Sequence, residues 1–331
     1  ERETSSSSIL MRGLIRLRRT CGQLLRSDKK YCVTMSSEAK ANDLHVDLKA
    51  TLLNYRKGRG FDAKTWIAAK CVKFNAYMSS NNLSACCVSL SGGVDSALTL
   101  ALMKYASKMA NSPIKRVVAI SQPIHSSDWA FNRAKETSDI LEAELIVVDQ
   151  TDLHDRLRGI VDKAIGIEGN RFSAGQLRSY QRAPVQYYVA QLLSQSGTPC
   201  LVMGTGNMDE DMYLAYFCKA GDGVVDLQLI ADLHKSEVFI AAKELKVPHS
   251  ILKAAPSADL WDGQADEDEL GFTYDFIELF IGYYLKLSEV EQKQFVDSLS
   301  EDAKKQFQEW STLCVAVHKR NAHKIAGVVN L

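Results

Sequence analysis

Residues 89–96 read Ser-Leu-Ser-Gly-Gly-Val-Asp-Ser and close an apolar run. A strand that ends in Ser91-Gly92-Gly93 and opens into a helix sets hydroxyls and unpaired backbone N–H groups at a helix N-terminus. The aligned peptide dipoles there favour an anion. The glycines let backbone approach phosphate oxygens closely. Yet the stretch lacks the Gly-Lys-Ser/Thr step with which the common P-loop brings a lysine to its phosphates. Asp95 adds a carboxylate where phosphates would sit, which is repulsive unless a cation lies between. Mg²⁺ binds through one or two carboxylates plus phosphate oxygens and meets that need. The cations that replace the missing lysine must then come from elsewhere in the chain. The plainer alternative is a Gly-rich turn with Asp95 favoured by the dipole of the following helix.

The elements around this turn alternate. Strands are predicted at 84–90, 116–121, 145–149, 200–205 and 224–230, and helices at 94–109, 128–141, 177–195 and 236–245. Apolar residues recur at three- and four-residue spacings in the first helix, with Ala97, Leu98, Ala101, Leu102 and Tyr105. Alternation of this kind predicts an α/β fold, a doubly wound, Rossmann-like parallel sheet covered on both faces. Ligands in such sheets bind beyond the carboxyl ends of strands, where Ser91, His125 and Thr205 stand; His125 is either a cavity residue or a packed histidine. Beyond residue 275 the pattern turns helical, and Ser288 with Glu291 forms a capping box.

Residues 35–331 are expected to form one domain with helical N- and C-terminal flanks. Residues 1–34, rich in Ser and Arg and poor in acids, are set outside the fold as a disordered or targeting extension. Their composition is compatible with an organelle transit peptide, the alternative being an extension ahead of Met35. A cytoplasmic location is expected, with organellar targeting by residues 1–34 as the other reading.

The chain is 46% hydrophobic and 24% charged, enough to build a core and against wholesale disorder. Its formal net charge of zero gives no support for binding nucleic acid or an acidic membrane surface. Eight cysteines without a CxxC argue for buried thiols, not for a zinc ribbon or redox pair. No apolar stretch reaches the length of a membrane span.

Ser91-Gly92-Gly93-Val94-Asp95-Ser96 resembles the SGGxDS loop of the N-type ATP pyrophosphatases. Residues 202–226, VMGTGNMDEDMYLAYFCKAGDGVVD, resemble the NAD synthetase pattern that runs from GTxNxSE through GYFTKYGDG to an aspartate. DLHKSEV (232–238) is similar to its DLxKxxV, and KAAPSADLWDGQADEDELGFTYD (253–275) to its KxPSAxLxxGQxDExELGxxY. The resemblance spans roughly residues 75 to 325. It implies ammonia-dependent amidation of deamido-NAD (nicotinic acid adenine dinucleotide) with ATP as co-substrate and Mg²⁺. The reaction would pass through an NAD-adenylate and give NAD, AMP and pyrophosphate. It also implies a homodimer.

By that resemblance Asp95 and Glu210 are Mg²⁺ ligands, and Asp95, Glu210, Lys219 and Lys235 are the catalytic set. ATP would meet Ser89, Leu90, Ser91, Gly92, Gly93, Val94, Asp95 and Ser96, together with Thr205, Lys235 and Ser257. Arg182, Lys219, Asp226, His323 and Lys324 would meet deamido-NAD. Without the motif, Lys219 and Lys235 read as surface lysines, and both the Asp209–Asp211 run and the Asp266–Glu269 run read as solvated. Departures from the pattern touch the substrate side. Tyr180 stands where the family has its first substrate arginine, unless Arg178 substitutes; Cys218 replaces a usual threonine and Leu229 a usual proline. Two C-terminal His-Lys pairs compete, His318-Lys319 and His323-Lys324, the second being favoured.

Only about 75 residues precede the resembling region, too few for a covalently linked glutaminase domain, so ammonia is the expected donor. Val185, Tyr188, Val189 and Leu192 form an apolar stripe for either a partner subunit or the chain's own core. The stretch 261–271 is a candidate mobile cover over the reacting carbonyl, or else a static surface loop. The competing activities are a tRNA-modifying enzyme built on the same loop and an inactive nucleotide-binding relative.

Overall fold

In a computed structural model of the protein, five short runs pair as parallel strands. They are β1 (Ala85–Ser89), β2 (Arg116–Ser121), β3 (Glu144–Val147), β4 (Cys200–Gly204) and β5 (Leu227–Gln228), in the order β3-β2-β1-β4-β5. β1 lies in the middle, with Val88 opposite Ala119 on one side and Met203 on the other. The chain order reverses at β1, so a crevice opens beyond its carboxyl end between β1 and β4. The structure describes residues 43–254, 266–328 and 330; the extension 1–34 and Ser257 lie outside them.

Helices α1 (Val46–Arg59) and α2 (Ala63–Ser80) precede the sheet. Then come α3 (Val94–Ser107), α4 (Asp128–Ile140), α5 (Thr151–Ile165), α6 (Arg171–Gln195) and α7 (Lys235–Glu244). α3 and α7 cover one face with α2, burying Phe74, Leu98, Leu102 and Val238. The other face is covered by α6, where Ala190 and Leu193 meet Cys87, Ile120 and Val202. The doubly wound arrangement expected from the alternation is the one observed.

Boundaries differ where tertiary contacts decide. α6 begins at Arg171, earlier than the apolar pattern predicts, because Asn170 caps it by accepting the Ser173 N–H at 2.9 Å. The expected strand 224–230 shrinks to two residues. Asp226 turns its carboxylate inward onto the Val202 N–H at 2.8 Å, and the ladder is made only at Leu227 and Gln228. The capping box of Ser288 and Glu291 opens the helix Glu289–Ser298.

The two flanks meet in a second core. Leu48 and Leu52 of α1 pack with Phe276, Phe280, Phe307 and Trp310 from the C-terminal helices. Arg56 ties α1 to the same region through Glu278, at 2.6 Å.

Candidate active site

The residues after β1 form a preshaped turn. The Ser96 hydroxyl donates to the Gly93 carbonyl at 3.0 Å, and the Ser91 and Ser96 hydroxyls lie 3.1 Å apart. Gly92 has φ +84°, and a Cβ there would lie 2.5 Å from the Ala130 carbonyl oxygen. Only glycine allows this approach.

A second turn follows β4. Asn207 caps the π-helical turn Met208–Leu214, accepting the N–H groups of Asp209 and Glu210, both at 3.1 Å. Its amide also donates to Asp95 Oδ1 at 2.9 Å, joining the two turns. Lys235, the first residue of α7, completes the cluster. Its ammonium donates to Asp95 Oδ2 at 2.6 Å and Glu210 Oε1 at 2.8 Å. Tyr274 donates its hydroxyl to Glu210 Oε1 at 2.5 Å and to Asp266 Oδ2 at 3.3 Å.

Burial is the largest influence on these charges. It works against ionisation of all three members of the trio, and the ion pairing opposes it. Despite burial, Glu210 is held below the ordinary glutamate range by Lys235 and by the hydroxyl of Tyr274. Lys235 is held well above the lysine range by the two carboxylates. Asp95 stays above its ordinary value because burial and the charge of Glu210 outweigh Lys235. Asp211 and Asp266 are each pushed up to about 7, by burial first and then by Glu210.

These groups line a cavity of about 760 Å³. Of the residues singled out in the sequence, Ser89, Ser91, Gly92, Gly93, Val94, Asp95, Ser96, Thr205 and Glu210 line it. So do Lys235, Arg182, His323 and Lys324. Leu90 is buried beneath the turn. Lys219 does not line the cavity; its ammonium donates to the carbonyls of His323 and Gly327, at 3.2 and 2.8 Å. Asp226 does not either, since it accepts from Val202 N–H and from the Tyr187 hydroxyl at 3.0 Å. Of the competing pairs, His318 donates its Nδ1–H to the Tyr213 carbonyl at 2.6 Å, away from the cavity. Tyr180 lines the wall, whereas Arg178 does not. His125 pairs with Asp155 at 2.7 Å on the surface, neither lining the cavity nor packing in the core.

The Asp209–Asp211 run is not a solvated face, whereas in the Asp266–Glu269 run Asp268 and Glu269 are exposed and only Asp266 is buried. Asp209 is fully buried against His234, and Asp211 accepts from Gln228 at 3.0 Å. Asp266, expected in a solvated loop, is buried at the start of the short helix Asp266–Leu270. Lys235 is only 4% exposed, which removes the surface-lysine alternative for it. Asn207 and Tyr274 were not singled out by sequence, and Asp209 and Asp266 were read only as members of acidic runs. The one signal for Asp209 and His234 was adjacency, since each immediately precedes a motif residue.

Asp95 and Glu210 suit a hard cation. A carboxylate offers about four lone-pair positions, and the bonds to Lys235, Asn207 and Tyr274 leave room on both. Among the described residues no group of three His, Cys, Asp or Glu side chains could hold a metal. Phosphate oxygens and water would have to complete the shell, as is usual for Mg²⁺.

The NAD synthase family model matches residues 66–326. The chain belongs to the NAD synthase family. An NH(3)-dependent NAD(+) synthetase of Methanococcoides burtonii is 38% identical over 58% of this chain and 68% of its own. The solved NMN synthetase of Francisella tularensis superposes with a TM-score of 0.65 at 26% identity, covering 82% of this chain and 99% of that one. The NH3-dependent NAD synthetase of Campylobacter jejuni shares the fold, with a TM-score of 0.59 at 20% identity over 82% of this chain and 99% of that one. As an NAD synthase the chain is a carbon–nitrogen ligase that uses ATP. The tRNA-modifying alternative finds no support in these likenesses. Among the described residues no helix is long and apolar enough to cross a membrane.

Proposed function

We propose that the cavity amidates deamido-NAD with ammonia, by way of an adenylate formed from ATP. The observation that carries this reading is the Lys235 ammonium, bonded to Asp95 and Glu210 beside the Ser91–Ser96 turn. A carboxylate is a poor electrophile toward ammonia, so it must first gain a leaving group. Its oxygen attacks the α-phosphorus of ATP and pyrophosphate departs. The Ser91–Ser96 turn receives the phosphates on hydroxyls and N–H groups, and fixed donors meet the developing charge. Lys235 supplies the cation that a P-loop lysine would have supplied. Asp95 and Glu210 would hold Mg²⁺, which when bound neutralises phosphate charge. Thr205, on the cavity wall, would contact ATP. Arg182, His323 and Lys324, which line the same cavity, would meet the anionic parts of deamido-NAD. Ammonia then attacks the activated carbonyl, and AMP leaves.

We also propose a homodimer. Leu153, Ile160 and Ile165 on α5, Phe172, Tyr188 and Leu192 on α6 are large, apolar and exposed on two helices that pack together. A second copy would cover them.

The likeness to the Francisella tularensis protein favours one alternative acceptor, the mononucleotide that yields NMN. Pyrophosphate release with ATP, Mg²⁺ and ammonium separates the two. The proposed reading requires faster release with deamido-NAD than with nicotinic acid mononucleotide. Equal or faster release with the mononucleotide would reassign the substrate.

A further inference from the structure

Behind the trio lies a buried chain of hydrogen bonds that the reaction itself does not use. The Tyr55 hydroxyl, on α1, lies 2.9 Å from His234 Nε2. His234 Nδ1 lies 2.6 Å from Asp209 Oδ1, and Asp209 Oδ2 accepts the Lys235 N–H at 2.7 Å. Both His234 and Asp209 side chains are wholly removed from solvent.

The partners fix the protons. An ionised carboxylate only accepts, so His234 must carry hydrogen on Nδ1 to meet Asp209. Its Nε2 then accepts from Tyr55 in the neutral ring. Read this way, every polar atom of the chain is satisfied, which a buried network requires to be stable. Asp209 also sits beside the N-terminus of α7, where a carboxylate is favoured.

The consequence is geometric. Asp209 and Glu210 are consecutive residues on one π-helical turn. Asp209 grips the main chain of Lys235, and Glu210 accepts from its side chain. Lys235 is thereby held at two points by one turn. His234 locks the Asp209 carboxylate in that pose and carries the hold through Tyr55 to α1. The same corner is closed by Glu237, which accepts the His234 N–H at 3.0 Å and pairs with Arg59 of α1. The N-terminal flank, far from the turn in sequence, therefore braces the lysine that faces the cavity.

We infer that Asp209 and His234 are positioning residues for the adenylation step, holding Lys235 so that its ammonium stands between Asp95 and Glu210. This rests on the reading of the cavity as an adenylating centre. Without the couple, Lys235 keeps its charge but loses its fixed place. Turnover should then fall while binding of the dinucleotide, on the far wall, is little changed.

The test compares His234→Asn with His234→Gln in the full chain. Asparagine sets an amide N–H about where Nδ1 stood and keeps the bond to Asp209; glutamine reaches the Nε2 position and does not. ATP-dependent pyrophosphate release is measured at saturating Mg²⁺, ATP and ammonium, with deamido-NAD varied. The wild-type chain must turn over for the cavity reading to stand. The inference then predicts that His234→Asn keeps kcat within about threefold of wild type. His234→Gln should lose about tenfold or more, the scale of a hydrogen bond to a charged group. KM for deamido-NAD should move less than about twofold in both. Equal kcat in the two variants, or a loss confined to KM, overturns the assignment. So does failure of both variants to reach the wild-type far-ultraviolet spectrum, because the couple would then serve folding and not placement. An inactive wild type would instead count against the cavity reading.

Discussion

The ammonium of Lys235 and Oδ2 of Asp95, 140 residues apart in the chain, lie 2.6 Å from each other. The side chains are only 5% and 18% exposed, so the pair operates largely out of water. Removing one partner from such a pair leaves an uncompensated charge, a loss on the order of 3–5 kcal/mol. Lys235→Met, Asp95→Asn and Glu210→Gln should each lower turnover by at least about a hundredfold, the scale of one lost transition-state stabiliser. Pyrophosphate release at saturating Mg²⁺ is the measurement, and near-normal rates in either carboxylate variant would remove those residues from the site.

Gly206 has no room for a side chain. A Cβ there would lie 1.7 Å from Asp211 Oδ2 and 2.8 Å from Gln228 Oε1. Gly206→Ala must therefore displace the Asp211 and Gln228 side-chain ends and break the bond that joins them beside the turn carrying Asn207 and Glu210. Turnover is expected to fall more than about tenfold, as small misplacements in such sites do. Gly159, with nothing near its Cβ position, is the control. Gly159→Ala should leave the rate unchanged, and similar rates in the two variants would contradict the close approach.

Asp266 makes stability depend on pH. Its carboxyl is raised from 3.8 to about 7, chiefly by burial, so the folded state holds the proton more tightly than the unfolded chain. The contribution is fully present below about pH 4 and is lost as pH rises through about 7. Asp266→Asn mimics the neutral form. Its unfolding temperature should gain on the wild type between pH 5 and pH 8, in thermal melts of the two proteins. A difference that stays constant across that range would show that Asp266 ionises freely.

Tyr188 and Leu192 are exposed on α6, where water-facing positions are expected to be polar. If they meet a second copy, the wild type sediments as a dimer at micromolar concentration. Tyr188→Glu should shift it toward monomer by placing an unpaired charge in the interface. A wild-type chain that is monomeric and fully active would remove the dimer.

The three central strands were legible because each is a short buried run bounded by turn residues, and the alternation with helices pointed to a parallel sheet. Ala97, Leu98, Ala101 and Leu102 announced their helix by spacing alone. The phosphate-type turn was legible because glycines and hydroxyls at a strand-to-helix junction have few other uses. Lys235 needed its motif, since nothing local distinguishes a buried lysine from a surface one. Asp209 stayed hidden because its burial depends on His234, a partner supplied by tertiary structure. The same holds for Asp266 beneath Tyr274. Asp226, implied as a substrate contact, spends its carboxylate on Val202 and Tyr187. No pattern in the sequence separates those two uses of an aspartate after a glycine-rich loop.

The most direct test is an assay of NAD formation by the purified chain with ATP, Mg²⁺ and deamido-NAD, comparing ammonium with glutamine. The account predicts NAD, AMP and pyrophosphate in equal amounts with ammonium, and no NAD with glutamine alone. Because the attacking species is NH₃ and ammonium has no lone pair, the rate at fixed low total ammonium should rise between pH 7 and pH 8.5. Failure to form NAD from ammonium, or equal turnover with glutamine in the pure protein, would contradict the account.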